Sequence, residues 1–446
     1  MKPPTPRVNA PRRFLLSIAP IGAAIAVLLS YPGIHAQGEA EHWVGTWATA
    51  VVSSQQTFSL PPIFQQRPAP PPQPGATPPP QPLQSISNQT LREIVHTSIG
   101  GSRYRVVFTN AFGTKPLTIG AAHIAARTSE AAIATNSAKP LMFAGKASTT
   151  IPVGAVMFSD PIDFTAQPFA DLAIDVYVPG DTTGSPLTMH NGALQTSYVS
   201  EPGNHTGKAQ LPLARTVTNW YLLARVELIA PPSVGAVVTL GDSITDGTSS
   251  TPDTNHRWPN YFAERFGSAS GGTMGVLNLG IGGNRLLSDG LGISALARFD
   301  RDVAAQSGVT HVVLLEGIND IGWAGDEASP TAADLIAAHQ QLIARAHARG
   351  LKIFGATLTP FVGARYQTDV GEAKRQEINR WIRTGGAYDG VIDFDAAVRD
   401  PNQLTKALPV YDPGDHLHFT DAGYQKMADT IDLNFFKLTA GRPASR

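Results

Sequence analysis

The chain contains no cysteine, and charged residues make up only 15% of its 446 positions. The missing thiols exclude disulfides, thiolate metal sites, iron–sulfur clusters and cysteine nucleophiles. The 34 Lys and Arg residues are balanced by 35 Asp and Glu residues. There is therefore no basic excess of the kind that nucleic-acid binding requires, and we expect no nucleic-acid partner. A chain of this length can fold without covalent cross-links and has room for two domains.

Residues 1–36 have the pattern of a secretory signal peptide. Lys2 and three arginines precede an apolar stretch at residues 14–29, and Ala36 supplies a small residue before a cleavage site. Pro20 interrupts this stretch, which is shorter than the roughly 20 apolar residues that span a bilayer. We therefore expect an exported protein, periplasmic or extracellular, with no membrane partner after signal cleavage. An uncleaved membrane anchor is the alternative.

Residues 37–231 predict an all-β domain, a sandwich or jelly roll. Short runs of strand-forming residues, such as 104–108 and 172–178, alternate with turn signals. Inside this domain, the segment 60–82 holds eleven of the 36 prolines. This composition favours solvated polyproline II, so we expect a long surface loop. A ligand for a proline-binding module is the alternative.

From residue 232 to 446 the pattern changes to strands alternating with helices, which is typical of a parallel α/β sheet. The predicted helices lie at residues 332–348, at 369–383 and from about 420 to 436. The predicted strands lie at residues 236–240, 276–279, 311–315, 352–357 and 390–394. Open parallel sheets carry their binding sites at the carboxyl ends of the strands. Each candidate functional cluster of this sequence stands at such an end.

The first cluster, Gly241-Asp242-Ser243, directly follows the first of these strands. Gly241 permits a tight turn that exposes the Ser243 hydroxyl, which a neighbouring base could turn into a nucleophile. The alternative is that Asp242 or Ser243 only caps a helix. The segment does not match the Gly-x-Ser-x-Gly turn of α/β-hydrolases.

The second cluster, Asp415-His416-Leu417-His418, precedes the last predicted helix. An aspartate three residues before a histidine can fold back and accept a hydrogen bond from one imidazole nitrogen. The other nitrogen of His418 is then free to take the Ser243 proton. His416 is the competing base, with poorer fold-back geometry beside Asp415. A His-x-His metal site is a further alternative, but nothing else at metal-ligand spacing supports it, so we expect no metal.

Two more clusters, residues 280–284 (Gly-Ile-Gly-Gly-Asn) and 317–320 (Gly-Ile-Asn-Asp), follow two further strands. The backbone N–H of Gly283 and the side-chain amide of Asn319 could donate to an oxygen that becomes negative in acyl transfer. A simple turn is the alternative for the glycines, which lack the spacing of a dinucleotide or phosphate loop. A turn or cap role is the alternative for Asn319.

Together the four clusters resemble the SGNH, or GDSL, hydrolase family over about residues 235–437. That family is named for a Ser, a Gly, an Asn and a His in four ordered blocks, which Ser243, Gly283, Asn319 and His418 match in the family's order. Phe419 stands where many members have proline after the histidine. The resemblance implies a flavodoxin-like three-layer parallel sheet for residues 232–446. The preceding β domain resembles, more weakly, the accessory domain of some exported bacterial members.

The resemblance also implies hydrolysis of carboxylic esters without a cofactor. Asp242 and Asp320 would fix loops by hydrogen bonding, and Arg285 would either line the substrate cleft or form a surface salt bridge. The implied catalytic residues are the nucleophile Ser243, the base His418 with its acid partner Asp415, and the oxyanion donors Ser243, Gly283 and Asn319.

We expect acetyl or other short acyl esters as substrates, with carbohydrate esters among them. Export and an appended β domain favour carbohydrate esters. The alternatives are a lipase or arylesterase, an acyltransferase with the same three residues, and a glycan-binding module whose hydrolase domain is inert. The intact set of motif residues argues against an inert domain. The sequence indicates no oligomeric state.

Overall fold

The computed structural model describes residues 41–56, 80–268 and 274–438, together with Met1 and Ile63. Apart from Met1, the predicted signal peptide lies outside the described residues, as does most of the proline-rich segment. The described residues from His42 onwards form one compact unit. Within the described ranges, no helix is both long enough and apolar enough to cross a membrane.

Antiparallel strands occupy the first part of the chain, up to Ile229, as the sequence predicts. They are β1 (Trp43–Ala48), β2 (Val52–Ser53), β3 (Ser87–His96), β4 (Gly101–Thr109), β5 (Leu117–Ile119), β6 (Ala121–Ser129), β7 (Ala132–Ile133), β8 (Lys139–Leu141), β9 (Thr149–Ile151), β10 (Val156–Phe158), β11 (Ile162–Ala166), β12 (Asp171–Asp181), β13 (Thr188–His190), β14 (Ser197–Pro202), β15 (Leu213–Val217), β16 (Trp220–Tyr221) and β17 (Leu223–Ile229).

Two large sheets organise this antiparallel region. One has the order β1-β17-β4-β10, with β11 also paired to β4; the other has the order β15-β14-β3-β12-β6-β7, with β8 paired to β6. Leu91 and Val95 of β3 belong to the main apolar core, whereas Ile94 belongs to a second, smaller cluster that includes Ala173 and Tyr198. Successive residues of a strand point to opposite faces. Both faces of β3 are therefore covered by apolar side chains.

A parallel sheet follows, with the strand order β19-β18-β20-β21-β22. Its strands are β18 (Gly235–Gly241), β19 (Met274–Gly280), β20 (Val309–Leu315), β21 (Lys352–Ala356) and β22 (Gly390–Ile392), and β23 (Arg399–Asp400) pairs with β24 (Gln403–Ala407) beyond it. The strands thus change from antiparallel to parallel between Ile229 and Gly235. A domain boundary near residue 232 stays a prediction.

The helices of this parallel region lie between its strands and after the last one. They are α1 (Ser243–Asp246), α2 (Trp258–Ser268), α3 (Ala295–Phe299) with a π-helical turn (Asp300–Ala304), α4 (Ile318–Ala324), α5 (Ala332–Ala348), α6 (Asp369–Thr384), α7 (Phe394–Val398), α8 (Asp421–Thr430) and a 3-10 turn (Leu433–Phe436).

Helix α5 has the bounds that the sequence predicts, and local chemistry explains them. The Thr331 hydroxyl accepts from the Asp334 N–H, and the Asp334 carboxylate accepts from the Thr331 N–H. This reciprocal cap fixes the start of the helix. Leu335 and Leu342, two turns apart, are fully buried and define its inner face.

Two predicted elements are wrong in part. The helix predicted from 420 to 436 breaks after Thr430, because Ile431 is extended and the Asp432 side chain caps the short turn that follows. The strand predicted at 390–394 ends at Ile392, because the Asp393 carboxylate accepts from the Ala396 N–H and starts α7. In both cases an aspartate cap ends the element.

The antiparallel region contacts the parallel sheet at β19, its edge strand. The Val276 N–H of β19 donates to the Ser98 hydroxyl at 3.0 Å. The Gly45 N–H of β1 donates to the Ser307 carbonyl, also at 3.0 Å. An edge strand exposes unpaired backbone groups, so the contact at Val276 covers part of an edge that would otherwise invite aggregation.

The close approach of β1 to β19 can be tested by substitution at Gly275. A Cβ atom at this position would lie 2.1 Å from the Gly45 carbonyl oxygen, which is backbone and cannot rotate away. We expect Gly275→Ala to lower the free energy of unfolding in urea by about 1–3 kcal/mol. The control is Gly180→Ala, since no atom lies within 4 Å of the Cβ position there. Equal stability of the two variants would contradict the close approach.

Candidate active site

Ser243 is the first residue of α1, directly after β18. The Asp242 carboxylate caps this helix by accepting from the Ile244 N–H at 2.9 Å. Because Asp242 supplies the cap, the hydroxyl of Ser243 is left for another partner. A Cβ on Gly241 would lie 2.5 Å from the Leu315 carbonyl oxygen, so only glycine allows the turn to approach β20.

The partner of Ser243 is His418. The Ser243 Oγ lies 2.8 Å from His418 Nε2, and His418 Nδ1 lies 2.6 Å from Asp415 Oδ2. The other Asp415 oxygen accepts from the N–H groups of Leu417 and His418 at 3.0 and 2.9 Å. The loop therefore folds back as the sequence predicts. A carboxylate at Nδ1 keeps the proton there, so Nε2 can accept from the serine hydroxyl.

Asp415 is ionised at neutral pH. Burial by itself would raise the pKa of its carboxyl group. The hydrogen bond and the charge of His418, with the two backbone N–H donors, outweigh burial and lower the pKa to about 2. A carboxylate that remains charged can stabilise a protonated His418.

His416, the competing base, has a different partner. Its Nδ1 lies 2.5 Å from Asp412 Oδ2, and its backbone N–H donates to Asp412 Oδ1 at 3.1 Å. The structure therefore brings His418, and not His416, into hydrogen-bond contact with Ser243.

Gly283 lies in the loop after β19 with a φ of +69°, a conformation that favours glycine. A Cβ there would lie 2.6 Å from Leu291 Cδ1 and 3.2 Å from the Trp323 ring. Among the described residues, the Gly283 N–H has no hydrogen-bond acceptor. This donor is therefore available to a ligand.

Asn319 lies in α4, not in a turn, and is buried. Its Nδ2 donates to the Asn284 carbonyl at 2.9 Å, and its Oδ1 accepts from the Tyr366 hydroxyl at 3.2 Å. The amide is thereby oriented and tied to the loop that carries Gly283. The second N–H of Nδ2 has no acceptor within the described part of the chain.

Asp320 fixes the loop that follows Gly283, as predicted. Its carboxylate accepts from the N–H groups of Leu286 and Leu287 at 2.7 and 3.1 Å. Burial raises the pKa of Asp320 to about 6, although the two backbone donors lower it. Arg285 forms no salt bridge with a described residue: its guanidinium stacks on Trp323, 4.5 Å from the ring centre, and donates to the Asp289 carbonyl. A role of Arg285 in lining the substrate cleft stays a prediction.

Arg298 is a site residue that the sequence reasoning missed. This arginine is fully buried. It donates to the Gly241 carbonyl at 2.9 Å, to the Leu279 carbonyl at 2.7 Å and to Asn284 Oδ1 at 2.9 Å. It thereby joins the ends of β18 and β19. No sequence signal identifies it, because a helical arginine usually faces solvent.

Glu316, which directly follows β20, was also missed. It is fully buried, and burial raises its pKa well above the ordinary value, with the Asp242 carboxylate raising it further. Its nearest cationic group is Arg298, 3.9 Å away. A signal for Glu316 was present, since it is a polar residue at the carboxyl end of a buried parallel strand.

The sequence of residues 239–426 matches the GDSL-like Lipase/Acylhydrolase family. This part of the chain belongs to that family. The part of the chain at residues 239–426 is therefore a carboxylic-ester hydrolase. Comparison with curated proteins finds no matching relative.

Solved structures of other GDSL and esterase proteins are similar to this chain. A GDSL-like lipase from Bacteroides thetaiotaomicron is 21% identical, with a TM-score of 0.34, over 45% of this chain and 88% of that one. The acetyl xylan esterase AlAXEase is 20% identical, with a TM-score of 0.34, over 44% of this chain and 96% of that one. An aryl esterase from M. smegmatis is 15% identical, with a TM-score of 0.35, over 44% of this chain and 95% of that one.

Phe419 departs from the proline that many members of the GDSL family have after the histidine. Its side chain is fully buried and packs edge-on against Tyr424 of α8, with ring centres 6.0 Å apart. The residue therefore contributes to the core beneath the loop that carries His418.

The cap residue Asp242 makes stability depend on pH. Burial raises its pKa to about 7, against about 3.9 for an unfolded aspartate. Between these two pH values the folded state keeps a proton on Asp242 that the unfolded state has lost. The free energy of unfolding therefore falls as pH rises from about 4 to about 7. Asp242→Asn keeps a cap acceptor but cannot ionise. We expect the free energy of unfolding in urea, taken as variant minus wild type, to rise by about 2–3 kcal/mol between pH 5 and pH 8. Parallel pH profiles would contradict a buried, protonated Asp242.

Proposed function

We propose that the protein is a serine esterase in which Ser243 is the nucleophile, His418 the base and Asp415 its acid partner. The observation that carries this proposal is the continuous hydrogen-bond chain from Ser243 Oγ through His418 to Asp415. A serine hydroxyl is a weak nucleophile until a base accepts its proton. Family membership gives the reaction class, and the hydrogen-bond chain supports these residue roles.

The reaction follows from this arrangement. His418 Nε2 takes the hydroxyl proton as Ser243 Oγ bonds to the ester carbonyl carbon. When the tetrahedral intermediate collapses, the carbon–oxygen bond to the alcohol breaks and His418 returns the proton to the leaving alcohol. A water molecule then gives a proton to His418 and attacks the acyl-serine, and Ser243 is reprotonated as the acid leaves. These proton transfers need no cofactor.

The negative oxygen of the intermediate would be held by the N–H groups of Ser243 and Gly283 and by the Asn319 amide. The three groups follow β18, β19 and β20, which are neighbours in the sheet. Two buried contacts, from the Asn319 amide and from Arg298 to Asn284, support their common placement. Each such donor is typically worth about 2.7–4 kcal/mol in the transition state.

Short acyl groups fit the space beside Gly283. Leu291 and Trp323 lie within 3.3 Å of where a Cβ on that glycine would be, so these two side chains crowd the residue that supplies the donor. A bulky acyl chain would have to displace Leu291, whose side chain is partly exposed. This supports acetyl and similarly short esters as substrates.

The proposal extends to the architecture and the compartment. The order β19-β18-β20-β21-β22 is 2-1-3-4-5 in chain order, the order of flavodoxin-like sheets, and it supports that arrangement for residues 232–446. Two large antiparallel sheets support a β-sandwich for residues 37–231. We propose that the signal at residues 1–36 directs this esterase to the periplasm or the exterior.

Replacing Ser243 and the two histidines tests the roles directly. We expect Ser243→Ala and His418→Ala each to lower kcat for p-nitrophenyl acetate by at least about 10³-fold, because each removes part of one catalytic unit. His416→Ala should be far less damaging. Wild-type rates in Ser243→Ala would overturn the nucleophile assignment, and the reverse order of the histidines would show that His416 is the base.

Leu291→Ala tests the acyl-group restriction. Removing this side chain enlarges the space beside Gly283, so the ratio of kcat/KM for p-nitrophenyl octanoate to that for the acetate should rise about tenfold. The matched control is Leu213→Ala, an exposed leucine in β15 of the antiparallel region. An unchanged ratio in Leu291→Ala would contradict the proposed acyl site.

A further inference from the structure

The loop before α8 holds two Asp–His pairs, and the proposed reaction uses only Asp415 and His418. In the other pair, Asp412 Oδ2 lies 2.5 Å from His416 Nδ1. The second Asp412 oxygen accepts from the N–H groups of Gly414 and His416 at 2.8 and 3.1 Å. The side chain of Asp412 is only 12% exposed, whereas that of His416 is 50% exposed. A largely buried carboxylate therefore orients an exposed imidazole.

The backbone of His416 is held in an unfavourable conformation. Its φ is +60°, in the left-handed region, which typically costs a residue with a Cβ atom roughly 1–2 kcal/mol. The hydrogen bonds to Asp412 maintain it. Strain that the surrounding structure maintains is concentrated at functional sites.

The ring nitrogen that faces away from Asp412 is available to a ligand. Because the carboxylate accepts from Nδ1, the proton of a neutral His416 is on Nδ1 and Nε2 is a hydrogen-bond acceptor. Within the described residues, no protein donor contacts Nε2 of His416.

His416 lies at the rim of the candidate active site. A Cβ on Gly363 would lie 2.9 Å from the His416 ring, so this ring packs against the loop after β21. Three residues further on, Tyr366 of the same loop donates to Asn319. Two residues beyond His416, His418 contacts Ser243. The ring thus packs against a loop that contacts Asn319, and it belongs to the loop that carries His418.

The base determines which part of the substrate lies near this rim. His418 must return its proton to the leaving alcohol, so the alcohol lies on the His418 side of the ester. His416 belongs to the same short loop. The group that Nε2 of His416 can contact therefore belongs to the alcohol part of the substrate rather than to the acyl part.

We propose that His416 Nε2 accepts a hydrogen bond from a free hydroxyl of the alcohol part and so favours acylated sugars as substrates. This inference rests on the esterase reaction proposed above. A partly acetylated sugar offers a hydroxyl next to the ester, whereas simple alkyl and aryl alcohols have none to donate. One neutral hydrogen bond corresponds to roughly a three- to tenfold preference.

The test compares two acetates of different alcohols, a monoacetylated methyl xyloside and p-nitrophenyl acetate. His416→Gly removes the imidazole, and glycine adopts the left-handed φ without strain. We expect KM for the xyloside to rise about three- to tenfold with little change in kcat, because binding energy is lost equally in ground and transition states. The ratio of kcat/KM for the xyloside to that for the aryl ester should fall by the same factor.

Two further variants separate recognition from structure. His347→Gln is the matched control, since His347 is a similarly exposed histidine paired with Asp389 at 2.9 Å, and the substrate ratio should stay unchanged. Asp412→Asn keeps the imidazole but loses the charge that orients it, and it should lower the ratio less than His416→Gly does.

An unchanged substrate ratio in His416→Gly would overturn the proposal. So would an equal loss on both acetates through kcat, since that would show that the Asp412–His416 pair only shapes the loop. These outcomes are distinct from failure of the esterase mechanism, which would appear as full activity in Ser243→Ala on either substrate.

Discussion

The buried guanidinium of Arg298 is the interaction on which the candidate site depends. An arginine remains charged inside a protein, and burying that charge is costly unless every donor finds an acceptor. Here the acceptors are the carbonyls of Gly241 and Leu279 near the ends of β18 and β19, the side chain of Asn284 and the carboxylate of Asp302. The strand ends therefore cannot move apart without leaving the buried charge short of hydrogen-bond acceptors. The turn that carries Ser243 and the loop that carries Gly283 begin at those ends, so both are positioned by the same side chain.

The carboxylates around Ser243 differ in pKa because their surroundings differ. Asp242, Glu316 and Asp320 are buried, and burial raises the pKa of each. Asp415 is partly exposed and accepts hydrogen bonds from His418 and the backbone, so its pKa falls to about 2. Carboxylates whose environments separate their pKa values take different roles. The low-pKa group is the one paired with the histidine, while Asp242 and Asp320 fix backbone N–H groups.

Local patterns could be read from the sequence, and contacts between distant segments could not. The reciprocal cap and apolar spacing of α5 determine its bounds, and the four motif clusters correctly identified the family of residues 239–426. The hydrogen bond from Tyr366 to Asn319 and the role of Arg298 involve segments with no shared sequence pattern. The break after α8 was missed because it depends on a single cap at Asp432. The catalytic roles of Ser243, His418 and Asp415 stay predictions supported by their geometry.

Whether Ser243 is the activated nucleophile is tested by covalent labelling of the protein with an organophosphate ester, such as diethyl p-nitrophenyl phosphate, followed by mass spectrometry of its peptides. Such reagents phosphorylate a serine that a base activates and leave unactivated hydroxyls unmodified. We expect one label per chain, on the peptide that contains Ser243, with loss of esterase activity in proportion to labelling. A label on another residue, or full labelling with undiminished activity, would contradict this role of Ser243.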